Sequence, residues 1–293
     1  MQTAQPLRGA LLAATGLLLF ACMDTTTKYL ATRYDVPLIV ACRYLVNLLL
    51  MLALVAPSQG RALVRTQRTG LVIVRALALA ATSLLMGLAL QYISVAEATA
   101  INFLAPLLVV VAAGPLLGER VGAIGWTAAL MGFAGVLLIA RPGGGLAIAG
   151  ALLAFACVGF NVTYQLLSRV LAHSERTIAM LFFSALVGSI LFGLIAPCFW
   201  NGRVPSLVEA LLFLSLGVYG GLGHYLYTAA FRYAPASLLA TINYAQLLWA
   251  GLLGWLVFGH LPDGVGLAGM LVICVSGVAV ALATRRAPEK REV

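Results

Sequence analysis

The tightest constraint on the fold of this sequence is one long apolar stretch that occurs twice. Tyr92–Gly118 (YISVAEATAINFLAPLLVVVAAGPLLG) is apolar enough to cross a bilayer, yet it carries Asn102 and Pro106 near its middle. A second copy, Tyr233–Gly259 (YAPASLLATINYAQLLWAGLLGWLVFG), follows 141 residues later. At that offset Tyr92 falls on Tyr233, Ile101 and Asn102 on Ile242 and Asn243, Phe103 on Tyr244, and Gly118 on Gly259. Shorter matches keep the same order. Gly9–Ala13 and Gly150–Ala154 both read GALLA, Leu30 and Ala31 equal Leu171 and Ala172, and Lys28 falls on Arg169. Ala56 and Pro57 equal Ala196 and Pro197, and Gly135 and Val136 equal Gly277 and Val278. A nearly constant offset over so many segments predicts a duplicated chain.

Composition decides where such a chain can live. It is 62% hydrophobic and only 9% charged, whereas a soluble domain carries roughly a quarter charged residues. The exterior of a soluble protein this size must meet water, and this chain lacks the polar surface for it. That predicts a polytopic membrane protein whose non-protein partner is the lipid bilayer. Basic residues flank the apolar runs, so the net charge of +9 reports topology and not nucleic-acid binding. Cys22, Cys42, Cys157, Cys198 and Cys274 form no close pairs, which predicts neither disulfides nor a metal site. No cofactor is expected.

The apolar runs predict ten spans, at about 9–30, 37–56, 71–91, 95–117, 122–140, 148–171, 177–199, 207–231, 236–258 and 265–284. Most are about 20 residues, enough to cross a hydrocarbon core at 1.5 Å rise per residue. Arg8 ahead of the first run resembles a signal peptide, but Asp24–Lys28 is a poor cleavage site, so the run reads as an uncleaved helix. With the N-terminus in the cytoplasm, 12 Lys and Arg residues fall inside and 4 outside, which predicts both termini inside. Spans 1–5 (residues 9–141) and 6–10 (148–284) then form the two copies, followed by a basic cytoplasmic tail, 285–293. Five spans is an odd number, so the second copy enters from the opposite face. This is an inverted repeat, as in many secondary transporters, with the binding site near the midplane between the halves.

The ten spans, the 5+5 repeat, Tyr92 leading through small residues to Ala105-Pro106, and Gly118-Glu119 closing the fourth span resemble the drug/metabolite transporter superfamily, EamA type. The resemblance covers nearly the whole chain. The second copy departs from it, with His260 in place of Glu119 and Leu247 in place of Pro106. By general likeness the chain is similar to YddG-like bacterial exporters of aromatic and other neutral amino acids, which implies a location in the bacterial inner membrane. Other members with similar residues carry S-adenosylmethionine, nucleotide-type metabolites, sugars or drugs.

Several polar residues stand inside the spans. Asn102 and Asn243 each lie about 12 Å deep, approached from opposite faces. Pro106 cannot donate to the carbonyl of Asn102, which frees that carbonyl beside the side-chain amide. Either the two asparagines bind substrate, or they bond neighbouring helices and hold the copies together. Asn161, Tyr164, Gln165 and Ser168 repeat at i, i+3, i+4 and i+7, a polar stripe that lines a cavity or a helix contact. Span 8 carries Gly217, Gly220, Gly221, His224 and Tyr227 on one broad face. His224 reads as a neutral wall residue or as a titrating coupling group, with Tyr225 or Tyr227 beside it. Gln246 and Trp249 extend the face of Asn243 and suit an aromatic or cationic ligand. Candidate substrate contacts are therefore Asn102, Asn161, Tyr164, Gln165, His224, Tyr227, Asn243, Gln246 and Trp249, with Pro106 as the bend.

Asp24, Lys28 and Arg43 share a depth, so Asp24–Lys28 or Asp24–Arg43 is expected to pair as a structural, gating or recognition element. Arg75 is expected to snorkel to the inner interface, and Glu97 to be solvated at a helix entrance. Leu247 is expected to let the helix around Asn243 continue. HExxH, GxSxG and Walker A sequences are absent, which argues against an intramembrane enzyme and against ATP-driven transport by this chain alone. A secondary transporter exporting amino acids or related small metabolites is expected, its oligomeric state open because a ten-span inverted repeat can be complete as a monomer. A channel or structural subunit is the alternative from another class.

Overall fold

The computed structural model describes residues 6–117, 123–139, 147–172, 174–230, 233, 239, 242, 243, 245–260 and 262–286. Gly118, Glu119, Arg120, Arg141, Arg232, Tyr244 and the tail from 287 onward lie outside these residues. Among the described residues the regular structure is entirely helical. The helices are α1 (Pro6–Leu30), α2 (Val36–Leu50), α3 (Thr69–Ala89), α4 (Val95–Asn102), α5 (Leu104–Leu117), α6 (Ala123–Ile139), α7 (Ile148–Leu171), α8 (Thr177–Ile195), α9 (Leu207–Ala230), α10 (Ala245–Phe258) and α11 (Gly264–Arg286). Six stretches are long and apolar enough to cross a membrane: Leu7–Leu30, Val36–Leu63, Thr69–Ala89, Ile148–Leu171, Thr177–Phe199 and Leu207–Tyr227. This is a multi-pass membrane protein. The other four expected spans correspond to shorter apolar helices.

Local chemistry sets the helix ends. Asp35 precedes α2 in extended backbone, and Pro37 occupies its first turn, where no N–H is needed. Ser94 and Glu97 form a capping box that starts α4, so Glu97 holds a backbone N–H and is not a merely solvated carboxylate. Ser206 and Glu209 build the same box before α9. Gly259 ends α10 with φ +68°, a conformation in which an L side chain is strained, and its N–H closes on the carbonyl of Trp255 at 2.8 Å. Met51–Val55 forms one π turn at the end of α2.

The packing pattern repeats itself. α1 lies on α9 as α3 lies on α7, α2 meets α9 as α8 meets α3, and α1 touches α10 as α7 touches α5. α2 packs on α8 and α6 on α11. Each contact maps onto another, or onto itself, when segment 6–139 is exchanged with 148–286. Glycine permits the closest approaches. A Cβ on Gly135 would stand 2.8 Å from the Gly269 carbonyl oxygen, and one on Gly217 would stand 2.9 Å from the backbone nitrogen of Asn47. Ile101, Leu104 and Leu107 lie in a buried apolar cluster with Val136, Met270 and Ile273, which anchors α4 and α5. Leu54, Leu194, Leu207 and Leu248 point outward, as lipid-facing side chains do.

One expectation about the repeat is corrected. α4 gives way to α5 at Phe103, ahead of Pro106. In the second copy Asn243 also stands in a turn, with α10 starting at Ala245. There the Gln246 N–H returns to the Asn243 carbonyl at 3.0 Å, three residues back. Leu247 therefore does not carry the helix smoothly through Asn243. A tight i→i−3 turn interrupts it without help from proline.

Candidate functional site

A central cavity of about 420 Å³ lies between α1, α3, α4, α5, α7, α8, α9 and α10. Its polar wall begins with the stripe on α7. Gln165 Nε2 donates to Asn161 Oδ1 at 3.2 Å, and Asn161 Nδ2 donates to Asn102 Oδ1 at 2.9 Å. This relay ties α7 to α4 and leaves the Asn102 amide N–H groups and the Gln165 carbonyl for other partners. The two readings of Asn102, helix tie and cavity wall, thus coincide in one side chain. Opposite, the Tyr227 hydroxyl is hydrogen-bonded to the Asn243 side chain, with Gln246 beside them in the lining. Leu17, Phe20, Met86 and Phe103 supply an apolar wall. Thr99, one turn before Asn102, adds a buried hydroxyl that has no partner among the described residues.

The lining thus brings together Asn102, Pro106, Asn161, Tyr164, Gln165, His224, Tyr227, Asn243 and Gln246. Trp249 is not in it. It stands almost one turn further along α10 than Gln246, and its buried indole N–H finds no acceptor among the described residues. His224 stands between two spaces. It lines the central cavity and also an apolar cleft of about 440 Å³ between α2, α8 and α9, where Tyr225 lies. Phe20 meets its ring edge-on at 4.8 Å.

Arg75 is the lining residue that the sequence placed wrongly. It does not snorkel. Only 4% of it is exposed, and its guanidinium turns inward because neutral acceptors surround it. Nε donates to Ser168 Oγ at 2.6 Å, Nη1 to Ser184 Oγ at 3.0 Å and the Met180 carbonyl at 3.2 Å, and Nη2 to Tyr164 Oη at 2.9 Å. Ser168, the fourth member of the polar stripe, was the available clue.

The three charges on α1 and α2 also differ from expectation. Lys28 Nζ donates to the carbonyls of Leu90 (2.7 Å) and Ile93 (2.6 Å), binding the end of α1 to the α3–α4 connection. The carbonyls beyond a helix C-terminus offer a cation ready acceptors, so the long lysine stem goes there. The Arg43 guanidinium lies 5.0 Å from the Tyr44 ring centroid and 3.8 Å from Met23 Sδ. Asp24 is buried, and no ion pair joins it to Lys28 or Arg43.

Sequence reasoning also missed two carboxylates at the ends of the bundle. Glu209 accepts from Arg33 at 3.0 Å, Arg203 at 3.2 Å and the Tyr34 hydroxyl at 3.0 Å. Burial, then the hydrogen bond to Glu209, holds the Tyr34 phenol above its ordinary pKa, so it stays a donor. Asn201 Nδ2 adds a bond to the Arg33 carbonyl. At the other end Glu175 accepts from the backbone N–H groups of Gln67 (2.8 Å) and Arg68 (2.6 Å). The S-x-x-E spacing of Ser206 and Glu209 was a readable signal, while Glu175 had none.

The chain and its fold match known proteins. The EamA-like transporter family model matches residues 7–141 and again 148–283. The chain belongs to the EamA-like transporter family. Relatives of this EamA-like transporter span nearly its whole length. A riboflavin transporter from Vibrio cholerae is 28% identical over 92% of both chains. An S-adenosylmethionine uptake transporter from Rickettsia bellii is 26% identical over 92% of this chain and 91% of its own. A pseudopaline exporter from Pseudomonas aeruginosa is 27% identical over 93% and 95%. A solved crystal structure at 22% identity, covering 97% of this chain and 100% of its own with TM-score 0.69, shares the fold. The relatives are named for different small metabolites, and their names include both uptake and export. The chain is a small-metabolite transporter.

Proposed function

We propose that this EamA-like transporter exports an amino acid, aromatic or otherwise neutral, or a closely related metabolite, by alternating access across the bacterial inner membrane. The observation that carries this reading is the pairing of an amide relay (Gln165, Asn161, Asn102) with an apolar wall (Phe20, Met86, Phe103) in one 420 Å³ space. Ligand sites of roughly 300–1,000 Å³ combine such walls with a few fixed polar groups. The polar groups hold the backbone-like end of an amino acid, and the apolar wall accepts its side chain. Ten helices in two inverted five-helix repeats, with both termini cytoplasmic, give the carrier two halves that rock about the cavity.

The cavity reaches toward one end of the bundle. Thr177, the first residue of α8, belongs to the lining, whereas Arg33, Tyr34, Arg203 and Glu209 do not. In the expected orientation the end at which α8 begins is cytoplasmic, so a cavity that reaches toward it supports loading from the cytoplasm. Purified protein in liposomes loaded with labelled amino acids tests the proposal. Saturable efflux is expected, with KM raised about tenfold or more in Asn102→Ala, Gln165→Ala and Asn243→Ala, since each loses hydrogen bonds to a polar ligand. Efflux of no amino acid in the panel, or saturation unchanged in all three variants, refutes it.

A further inference from the structure

We infer that the ligand of the central cavity carries an anionic group, a carboxylate or a phosphate, that docks against Arg75; this rests on the cavity being the substrate site. Arg75 is 96% buried, and its guanidinium is a cation. Its four hydrogen bonds all end on neutral oxygens: two serine hydroxyls, a tyrosine hydroxyl and a backbone carbonyl. Geometry is therefore satisfied while charge is not. Among the described residues no carboxylate pairs with it, and the cavity lining contains no Asp or Glu. A buried charge without a counter-charge costs several kcal/mol in protein or membrane interiors. A bound anion removes that cost, so binding energy is concentrated at this point.

The neighbouring groups add further donors. Four of the five guanidinium N–H groups are used, which leaves one on Nη2, the atom that already holds Tyr164. The Tyr164 oxygen accepts from Arg75, so its own proton is available to a ligand. Gln165 keeps a second amide N–H beyond the one given to Asn161, and the buried Thr99 hydroxyl has no partner among the described residues. These donors suit an oxyanion, and the fixed cation repels an ammonium. The competing reading is purely structural, with Arg75 fastening α3 to α7 and α8.

Four probes with one phenyl body separate these readings: phenylpyruvate, phenyl phosphate, phenylalanine and phenethylamine. Each is titrated against the full-length protein in detergent, with the shift in melting temperature and competition for the strongest binder as readouts. Phenylpyruvate or phenyl phosphate is expected to bind at least tenfold more tightly than phenethylamine, with phenylalanine between, and the better of the two anions identifies the group. In Arg75→Gln the preference over the amine is expected to vanish. Arg75→Lys retains part of it, and Ser184→Ala, which loosens the tie and keeps the charge, retains it all. The inference is overturned if phenethylamine binds as well as the anions, if no anion binds, or if folded Arg75→Gln keeps the preference. Should the amine bind and lose affinity in Asn161→Ala and Gln165→Ala, the cavity remains the substrate site and only its anion preference falls.

Discussion

At the end of the bundle where α1 stops, Glu209 lies between two guanidinium groups and a phenol. At the end where α3 starts, Glu175 receives, among the described residues, backbone N–H groups alone, those of Gln67 and Arg68. Both carboxylates are almost fully buried, and both join the two sequence halves. The charged tie is joined by Lys28, which clamps α1 to the α3–α4 connection, and by Asn201. The backbone tie is close to the cavity, because Thr177 stands two residues from Glu175. The contrast teaches how a two-ended carrier can favour one state. Several side-chain ties join the halves at one end, and a single carboxylate clamp joins them at the other, near the cavity lining.

Glu209→Ala should have the largest effect. It leaves two arginines without their anion, removes the α9 capping box, and is expected to reduce efflux about tenfold by loosening that end. An Asn161→Cys reporter, tagged by a membrane-impermeant thiol reagent, should then react from the outer face several times faster than with Glu209 intact. Equal rates would show that Glu209 does not gate that end. Glu175→Ala comes next, with a loss of about 1–3 kcal/mol in thermal or denaturant stability, from two N–H groups left without an acceptor. It should leave outer-face labelling unchanged; increased outer labelling would assign both carboxylates to one gate. Gly217→Ala should cost about 1–3 kcal/mol by forcing α9 away from Val46 and Asn47 on α2. An unchanged melting temperature there would mean that the two helices separate without penalty. Arg33→Gln alone should do least, changing efflux about twofold or less, because Arg203 still holds Glu209 and both arginines are solvent-exposed. An effect as large as that of Glu209→Ala would make Arg33 the gate by itself.

Much of this site could be read from sequence because helical periodicity needs no tertiary knowledge. Asn161, Tyr164 and Gln165 share a face by spacing alone, and the repeat offset set Asn102 and Asn243 at matching depths. The failures concern long side chains. A position in a span fixes a Cα depth to within a few residues, but Arg75 and Lys28 reach several ångströms beyond theirs. Where a long cation goes depends on acceptors supplied by other helices: Ser168, Tyr164 and Ser184 for Arg75, and the carbonyls of Leu90 and Ile93 for Lys28. The turn at Asn243 was missed for a different reason. Proline announces an interrupted helix, but a tight turn such as Gln246 N–H to the Asn243 carbonyl leaves no residue-type mark.

The guanidinium of Arg75, which meets no carboxylate among the described residues, has an electrical consequence. A carrier whose internal cation stays in place moves, in each cycle, only the charge of its cargo. A zwitterion then crosses without regard to voltage. A monovalent anion leaving a cytoplasm held 100 mV negative is driven by about 2.3 kcal/mol, on the order of a fiftyfold gradient. For such cargo the resting membrane potential would set the direction of transport, with no coupling ion required.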